Sequence, residues 1–189
     1  MSPPAVSDAQ LIARVLVQDD RHAFSELVRR HQSTVRACLR KLTAGNAALA
    51  DDLAQETFLL AYRNLKSFRQ ESKFSTWLYR IAYNAFLADA RKMKESPLPD
   101  DADLDTLVPE DEQDAKPVAR AASLKVDLER AMATLSDAER AAIIQCYHND
   151  LSHEEAAVVL GCPVGTVKTH VLRAKQKLKA RLGAWAPAA

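Results

Sequence analysis

The chain has 189 residues, of which 48% are hydrophobic and 27% charged, and its formal net charge is +1. With only 4 glycines and no apolar run near the roughly 20 residues that a bilayer span needs, this composition excludes collagen-like, disordered and membrane-embedded proteins. The near-neutral net charge says nothing about nucleic acid, so the distribution of charge along the chain carries the information.

The N-terminus and the cysteines indicate a cytoplasmic protein. Residues 1–8 lack the basic segment and apolar core of a secretory signal, so we expect cytoplasmic localisation and no direct membrane insertion. Cys38, Cys146 and Cys162 are widely spaced and form no CxxC pair, which argues against a disulfide framework or a zinc knuckle. We expect these cysteines to pack as small hydrophobic residues and no cofactor to be bound.

The first half of the chain is predicted to form consecutive amphipathic helices. Apolar residues at spacings of three and four mark a short helix around residues 11–16 and a longer one over 24–42. Asn46 is the predicted N-cap of a third helix. After a polar loop, a fourth helix begins near Ser75 or Thr76.

Between residues 95 and 117 the hydrophobic periodicity stops, and prolines are interspersed with acidic residues. Such a composition predicts an acidic, flexible linker. The predicted fold is therefore all-α, with small helical domains at residues 1–94 and 118–189.

The second half shows the signals of a helix-turn-helix. Ser136–Glu139 and Ser152–Glu155 each fit a capping box, in which Ser and Glu satisfy free amides at the start of a helix. The tight turn at residues 160–163 then separates a supporting helix, Ser152–Leu160, from a predicted recognition helix, Val164–Lys177.

The predicted recognition helix has one apolar face and one basic face. Val167, Val171 and Ala174 lie on a stripe that can dock on the preceding helices. Residues 166–181 contain several cations and no carboxylate, which suits a phosphate backbone, although a solvated surface helix can look similar. The residues predicted to face DNA are Thr166, Lys168, Thr169, Leu172, Arg173 and Lys177.

Two segments in the first half and one in the second resemble a known family. Residues 52–58 (DLAQETF) and 74–82 (FSTWLYRIA) closely resemble the second conserved region of extracytoplasmic-function (ECF) sigma factors of bacterial RNA polymerase. Residues 162–168 (CPVGTVK) are similar to their fourth conserved region. The segments occur in the family's order on either side of the linker.

The resemblance implies a role for each segment. Asp52, Gln55 and Glu56 share one helical face, which in this family binds the clamp helices of the largest subunit of core RNA polymerase; taken alone, they would be an ordinary solvated face. The recognition helix would read the minus-35 element of promoter DNA. The residues expected to bind the minus-10 element are Phe68, Arg69, Ser72, Arg80 and Asn84.

Aromatic residues near that group leave an alternative open. Bases of an unpaired strand stack on aromatic side chains, so Phe74, Trp77 and Tyr79 are candidates for base contact. They are equally well explained as core residues.

The implied mechanism is binding without catalysis, and the family is commonly controlled by an anti-sigma factor that is often membrane-anchored. The main alternative is a stand-alone helix-turn-helix regulator that binds an operator, but this leaves the matches at 52–58 and 74–82 unexplained. A metal protein built on Cys146, His148, His153 and Cys162 is a weaker alternative, because their spacing is not that of recognised ligand pairs.

Overall fold

A computed structural model of the protein describes residues 6–95 and 126–182, and within these ranges every regular element is helical. The all-α prediction is confirmed. The helices before the predicted linker are α1 (Asp8–Gln18), α2 (Arg21–Leu42), α3 (Ala47–Asn64), a 3₁₀ turn (Leu65–Ser67) and α4 (Phe74–Glu95).

The helices after the predicted linker form a second group. They are α5 (126–133), α6 (Asp137–Ile143), a π-helical turn (Ile144–His148), α7 (His153–Leu160) and α8 (Val164–Arg181). The helix α4 includes the first residue of the predicted linker, and residues 96–117 lie outside the described residues. No helix in the described ranges has both the length and the apolar character needed to cross a bilayer.

The helix starts follow from local side-chain capping. The Asn46 side chain accepts a hydrogen bond from the amide of Leu49 at 3.0 Å, which confirms the predicted N-cap of α3. Ser136 and Ser152 both form the complete capping box predicted from the sequence. These bonds satisfy amides that have no partner within the helix.

Helix α4 begins at Phe74, slightly before the predicted start at Ser75 or Thr76. Phe74 is buried, with its ring 5.5 Å from that of Phe68, so tertiary packing fixes it at the helix start. Helix α8 continues past the predicted end at Lys177 to Arg181. The amide of Leu182 donates to the carbonyl of Leu178 and closes its last turn.

The two helical groups pack against each other and share one hydrophobic cluster. In the first group the cluster contains Leu27, Leu39 and Leu78, and in the second Ile144 and Val167. Helix α4 packs on α7, and α2 packs on the π-helical turn. The prediction of two domains on a flexible linker gave no indication of this direct contact.

The turn of the helix-turn-helix depends on Gly161, which has φ 65° and ψ 34° at the C-cap of α7. We expect Gly161→Ala to lower the free energy of unfolding by about 1–2 kcal/mol, because a side chain in the left-handed region is strained. A Cβ at this position meets no atom within 4 Å, so the backbone alone carries the cost.

Urea unfolding followed by circular dichroism measures this effect. Gly165→Ala is the matched control, because Gly165 lies inside α8, has equal space around it and has no positive φ. Equal stability of the two variants would contradict the argument.

Candidate nucleic-acid and protein interfaces

Helix α3 presents the predicted polymerase-binding residues on one exposed face. Asp52, Gln55 and Glu56 are all exposed, whereas Leu53 and Thr57 point into the core. The Thr57 hydroxyl donates to the carbonyl of Leu53 at 2.7 Å, which satisfies its buried polar group. The structure therefore groups the three predicted residues as their spacing indicated.

A groove between α2 and α3 runs beside this face. Its volume is about 700 Å³, and its walls include Phe24, Phe58 and Leu59 together with Gln55. Leu59 is 60% exposed, one turn beyond Gln55. Exposed apolar surface next to polar groups is typical of protein-binding sites. Sequence reasoning missed Leu59 and the groove, although a leucine on an otherwise polar helix face was an available signal.

The predicted minus-10 group lies in the first half of α4 and in the segment before it. Arg69, Arg80 and Asn84 are exposed, and the last two are one helical turn apart on α4. Ser72 and Phe68 are half-buried. The structure thus leaves two cations and an amide open to a partner along this part of the surface.

Phe68, Phe74 and Trp77 form an aromatic cluster next to these exposed residues. Phe68 has its ring 5.5 Å from that of Phe74 and 5.3 Å from that of Trp77, and the Phe74 and Trp77 rings are 5.7 Å apart. Phe74 and Tyr79 are buried, so these two residues belong to the core and are not candidates for base contact. Trp77 and Phe68 are half-buried and keep part of their rings accessible.

Helix α8 divides as the sequence indicated. Val167, Val171 and Ala174 are buried against the preceding helices, which confirms the apolar stripe. The exposed residues of the predicted DNA-facing set are Lys168, Thr169, Leu172, Arg173 and Lys177, whereas Thr166 is half-buried. The Thr169 hydroxyl donates to the carbonyl of Gly165 at 2.9 Å.

Comparison with known proteins gives one family match in each helical group. The profile of Sigma-70 region 2 matches residues 27–95, and that of Sigma-70 region 4 matches residues 125–178. The ECF RNA polymerase sigma-E factor of Haemophilus influenzae is 34% identical over 197 residues, covering 94% of this chain and 96% of its own. The chain belongs to the ECF sigma factors. It therefore directs core RNA polymerase to promoters.

Further similarities extend to a longer relative and to a solved structure. The ECF sigma factor SigE of Mycolicibacterium smegmatis is 34% identical over 83% of this chain, which spans 60% of that relative's length. The sigma factor RpoE of Bartonella quintana, solved with the anti-sigma factor NepR, is 27% identical. That structure covers 85% of this chain and 96% of its own, with a TM-score of 0.66. The family resemblance seen in the sequence is confirmed.

One predicted DNA contact of this sigma factor already has a partner within the protein. The Lys177 ammonium donates to Glu139 Oε2 at 2.7 Å, and the same carboxylate accepts from the Ser136 amide at 2.9 Å. The bond from Lys177, followed by that from Ser136, lowers the pKa of Glu139. This ion pair joins α6 to α8, and the DNA contact of Lys177 stays a prediction.

The residues of the metal alternative do not form a cluster. Among the described residues no group of three or more His, Cys, Asp or Glu side chains is placed to hold a metal ion. Cys146 and Cys162 are free thiols whose pKa values burial raises. Burial, with a smaller effect from Lys41, lowers the pKa of His148.

Proposed function

We propose that this ECF sigma factor docks on the clamp helices of the polymerase largest subunit through one exposed surface of α3. We call this the α3 face and define it as Asp52, Gln55, Glu56 and Leu59. The observation that carries the proposal is the exposure of these residues beside an apolar groove. Carboxylates and an amide at its rim suit a helix with basic residues, and Leu59 supplies apolar area.

The minus-10 element is proposed to bind along the first half of α4 and the segment before it. Arg69 and Arg80 supply positive charge for a single-stranded backbone, and Asn84 offers an amide to base edges. Phe68 and Trp77 are only half-buried, so their rings offer apolar surface to an unpaired base. The buried Phe74 packs against both of these rings and holds them in place.

The minus-35 element is proposed to bind α8 in the major groove. Arg173 is suited to bidentate hydrogen bonds with guanine, and Leu172, 58% exposed, to contact with a thymine methyl group. Lys168 and Thr169 lie on the same exposed side and suit phosphate contacts. Specificity then requires both DNA elements at a fixed spacing.

The protein is proposed to act in the cytoplasm by binding alone, with no covalent chemistry of its own. An anti-sigma factor is proposed to hold it inactive. Support for that partner comes from the similar sigma factor of Bartonella quintana, whose structure was solved with its anti-sigma factor.

Reconstitution tests the proposal. Purified protein is mixed with sigma-free bacterial core polymerase, separated by size exclusion, and assayed for initiation on a library of promoter sequences. We expect a stable complex and initiation from a restricted set of sequences, with none from core enzyme alone. A protein that ignores core polymerase but shifts duplex DNA by itself would instead fit the stand-alone regulator.

A further inference from the structure

We propose that His31 of α2 is a positioning residue for recognition of the unpaired minus-10 strand. It connects Asp8, at the start of α1, with Phe74, at the start of α4. In this way it fixes the aromatic cluster beside which the strand is proposed to bind. The inference rests on the minus-10 contact proposed above. His31 touches no DNA in this role and acts only through the cluster.

The His31 ring is held in place by a carboxylate. Its Nε2 lies 2.7 Å from Asp8 Oδ2, and the side chain is only 16% exposed. Because a carboxylate only accepts hydrogen bonds, Nε2 carries a proton and donates the bond. A hydrogen bond of this kind fixes the direction of a histidine ring. His31 therefore has one defined orientation between α1 and α4.

Asp8 is itself fixed at the start of α1. The Ser7 side chain accepts a hydrogen bond from the amide of Gln10 at 3.3 Å, as part of a complete capping box at this end of the helix. The other carboxylate oxygen of Asp8 accepts from Arg30 at 3.1 Å. The helix dipole also favours a carboxylate in the first turn. The acceptor of the His31 bond therefore has little freedom to move.

The His31 ring also packs against the aromatic cluster. Its centroid is 5.4 Å from that of Phe74, and the two ring planes are 74° apart. Edge-to-face pairs at such distances are favourable. The Phe74 ring in turn lies 5.5 Å from that of Phe68 and 5.7 Å from that of Trp77. A movement of His31 therefore reaches both half-buried rings through Phe74.

The segment at residues 68–73 depends on this packing. It forms no helix, and Gln70 has φ 58°, a conformation that residues with a side chain rarely adopt. The segment begins with one ring of the aromatic cluster and is followed by another. Arg69 and Ser72, two of the predicted minus-10 contacts, lie within it. Their positions are thus set by the cluster, which His31 holds.

Trp77 fluorescence tests whether His31 fixes the cluster. The full-length protein carries Trp185→Phe, so that all tryptophan emission comes from Trp77. We expect His31→Ala, and to a lesser extent Asp8→Ala, to shift the emission to longer wavelength, because the loosened ring meets more water. The Asp8 side chain is 31% exposed, so its variant tests the contact even if His31→Ala fails to fold. His22→Ala changes an exposed histidine of the same helix and is the matched control, with no shift expected.

Binding of a single strand to the holoenzyme tests the positioning role. The probe is a fluorescein-labelled strand that carries the minus-10 element of a promoter selected in the reconstitution above. We expect His31→Ala to weaken strand binding about tenfold, as for the loss of one base stack, and to leave affinity for core polymerase within about twofold. Asp8→Ala should weaken strand binding roughly threefold. The double variant should bind no more weakly than His31→Ala, because Asp8 acts only through His31.

Different results would contradict different steps. Unchanged Trp77 emission in both variants would show that His31 does not fix the cluster, whatever the DNA does. A shifted emission with unchanged strand binding would exclude the positioning role and leave the proposed minus-10 surface in place. An equal loss of core and strand binding would show that His31 serves folding alone. If the unmodified holoenzyme binds no minus-10 strand, the proposed function fails and the positioning role fails with it, whereas the emission still decides whether His31 fixes the cluster.

Discussion

Replacing Asp52, Gln55 and Glu56 together by alanine is expected to weaken binding to core polymerase by about a hundredfold or more. The three side chains form the polar part of the α3 face and are exposed, so their loss removes contacts without disturbing the core. A few residues near the centre of an interface usually carry most of its binding energy, at about 2 kcal/mol or more each, and their contributions need not be additive. Fluorescence anisotropy with labelled core polymerase would measure the dissociation constant.

The control for this variant changes one exposed amide and one exposed carboxylate elsewhere. Gln18→Ala with Glu129→Ala lies outside α3 and should leave the dissociation constant within about twofold. Circular dichroism should show that both proteins keep their helical content. If the α3 variant binds core polymerase as tightly as the unmodified protein, the α3 face is not the docking surface.

Arg173→Ala is expected to weaken binding to the minus-35 element by about 1–3 kcal/mol and to relax the base preference at one position. Arg173 is exposed on α8, on the opposite side from the buried Val171 and Ala174. A guanidinium can bind two acceptors of guanine at once, so its loss removes discrimination as well as affinity. Initiation from a library randomised at the minus-35 element would give the preference at each position.

Lys179→Ala provides the comparison for the arginine variant. Lys179 lies near the end of α8 and is exposed, so we expect it to hold phosphate. Its replacement should weaken binding to all promoters about equally and lower the salt dependence of that binding. A uniform loss across the library for Arg173→Ala would show that Arg173 also holds phosphate and reads no base.

Much of the fold could be predicted because its signals are local. Capping boxes at Ser136 and Ser152 and the N-cap at Asn46 depend on residues within one turn, and all are confirmed. The same holds for the division of α8, where Val167 and Val171 follow helical spacing and are buried. Such patterns determine which face of a helix is apolar.

The packing of the domains could not be predicted in this way. Cys38 appears in the sequence as a small apolar residue of α2, and its contact with Asn149 joins residues 111 positions apart. Burial raises the pKa of the Cys38 thiol to about 11, so it is neutral and fits an apolar position as well as an amide partner. Leu59 was not predicted for a related reason. One exposed leucine indicates a binding surface only when it lies beside a groove, and this groove forms only when α2 and α3 pack together.

The ion pair between Lys177 and Glu139 is expected to change how many salt ions are exchanged when α8 binds DNA. A lysine that binds a DNA phosphate displaces a condensed counterion, and each displacement steepens the fall of affinity with salt by about 0.9 in logarithmic units. Lys177 already neutralises a carboxylate of its own domain, so while that bond lasts it displaces no counterion. Promoter binding by α8 should therefore tolerate salt better than the number of cations on the helix suggests.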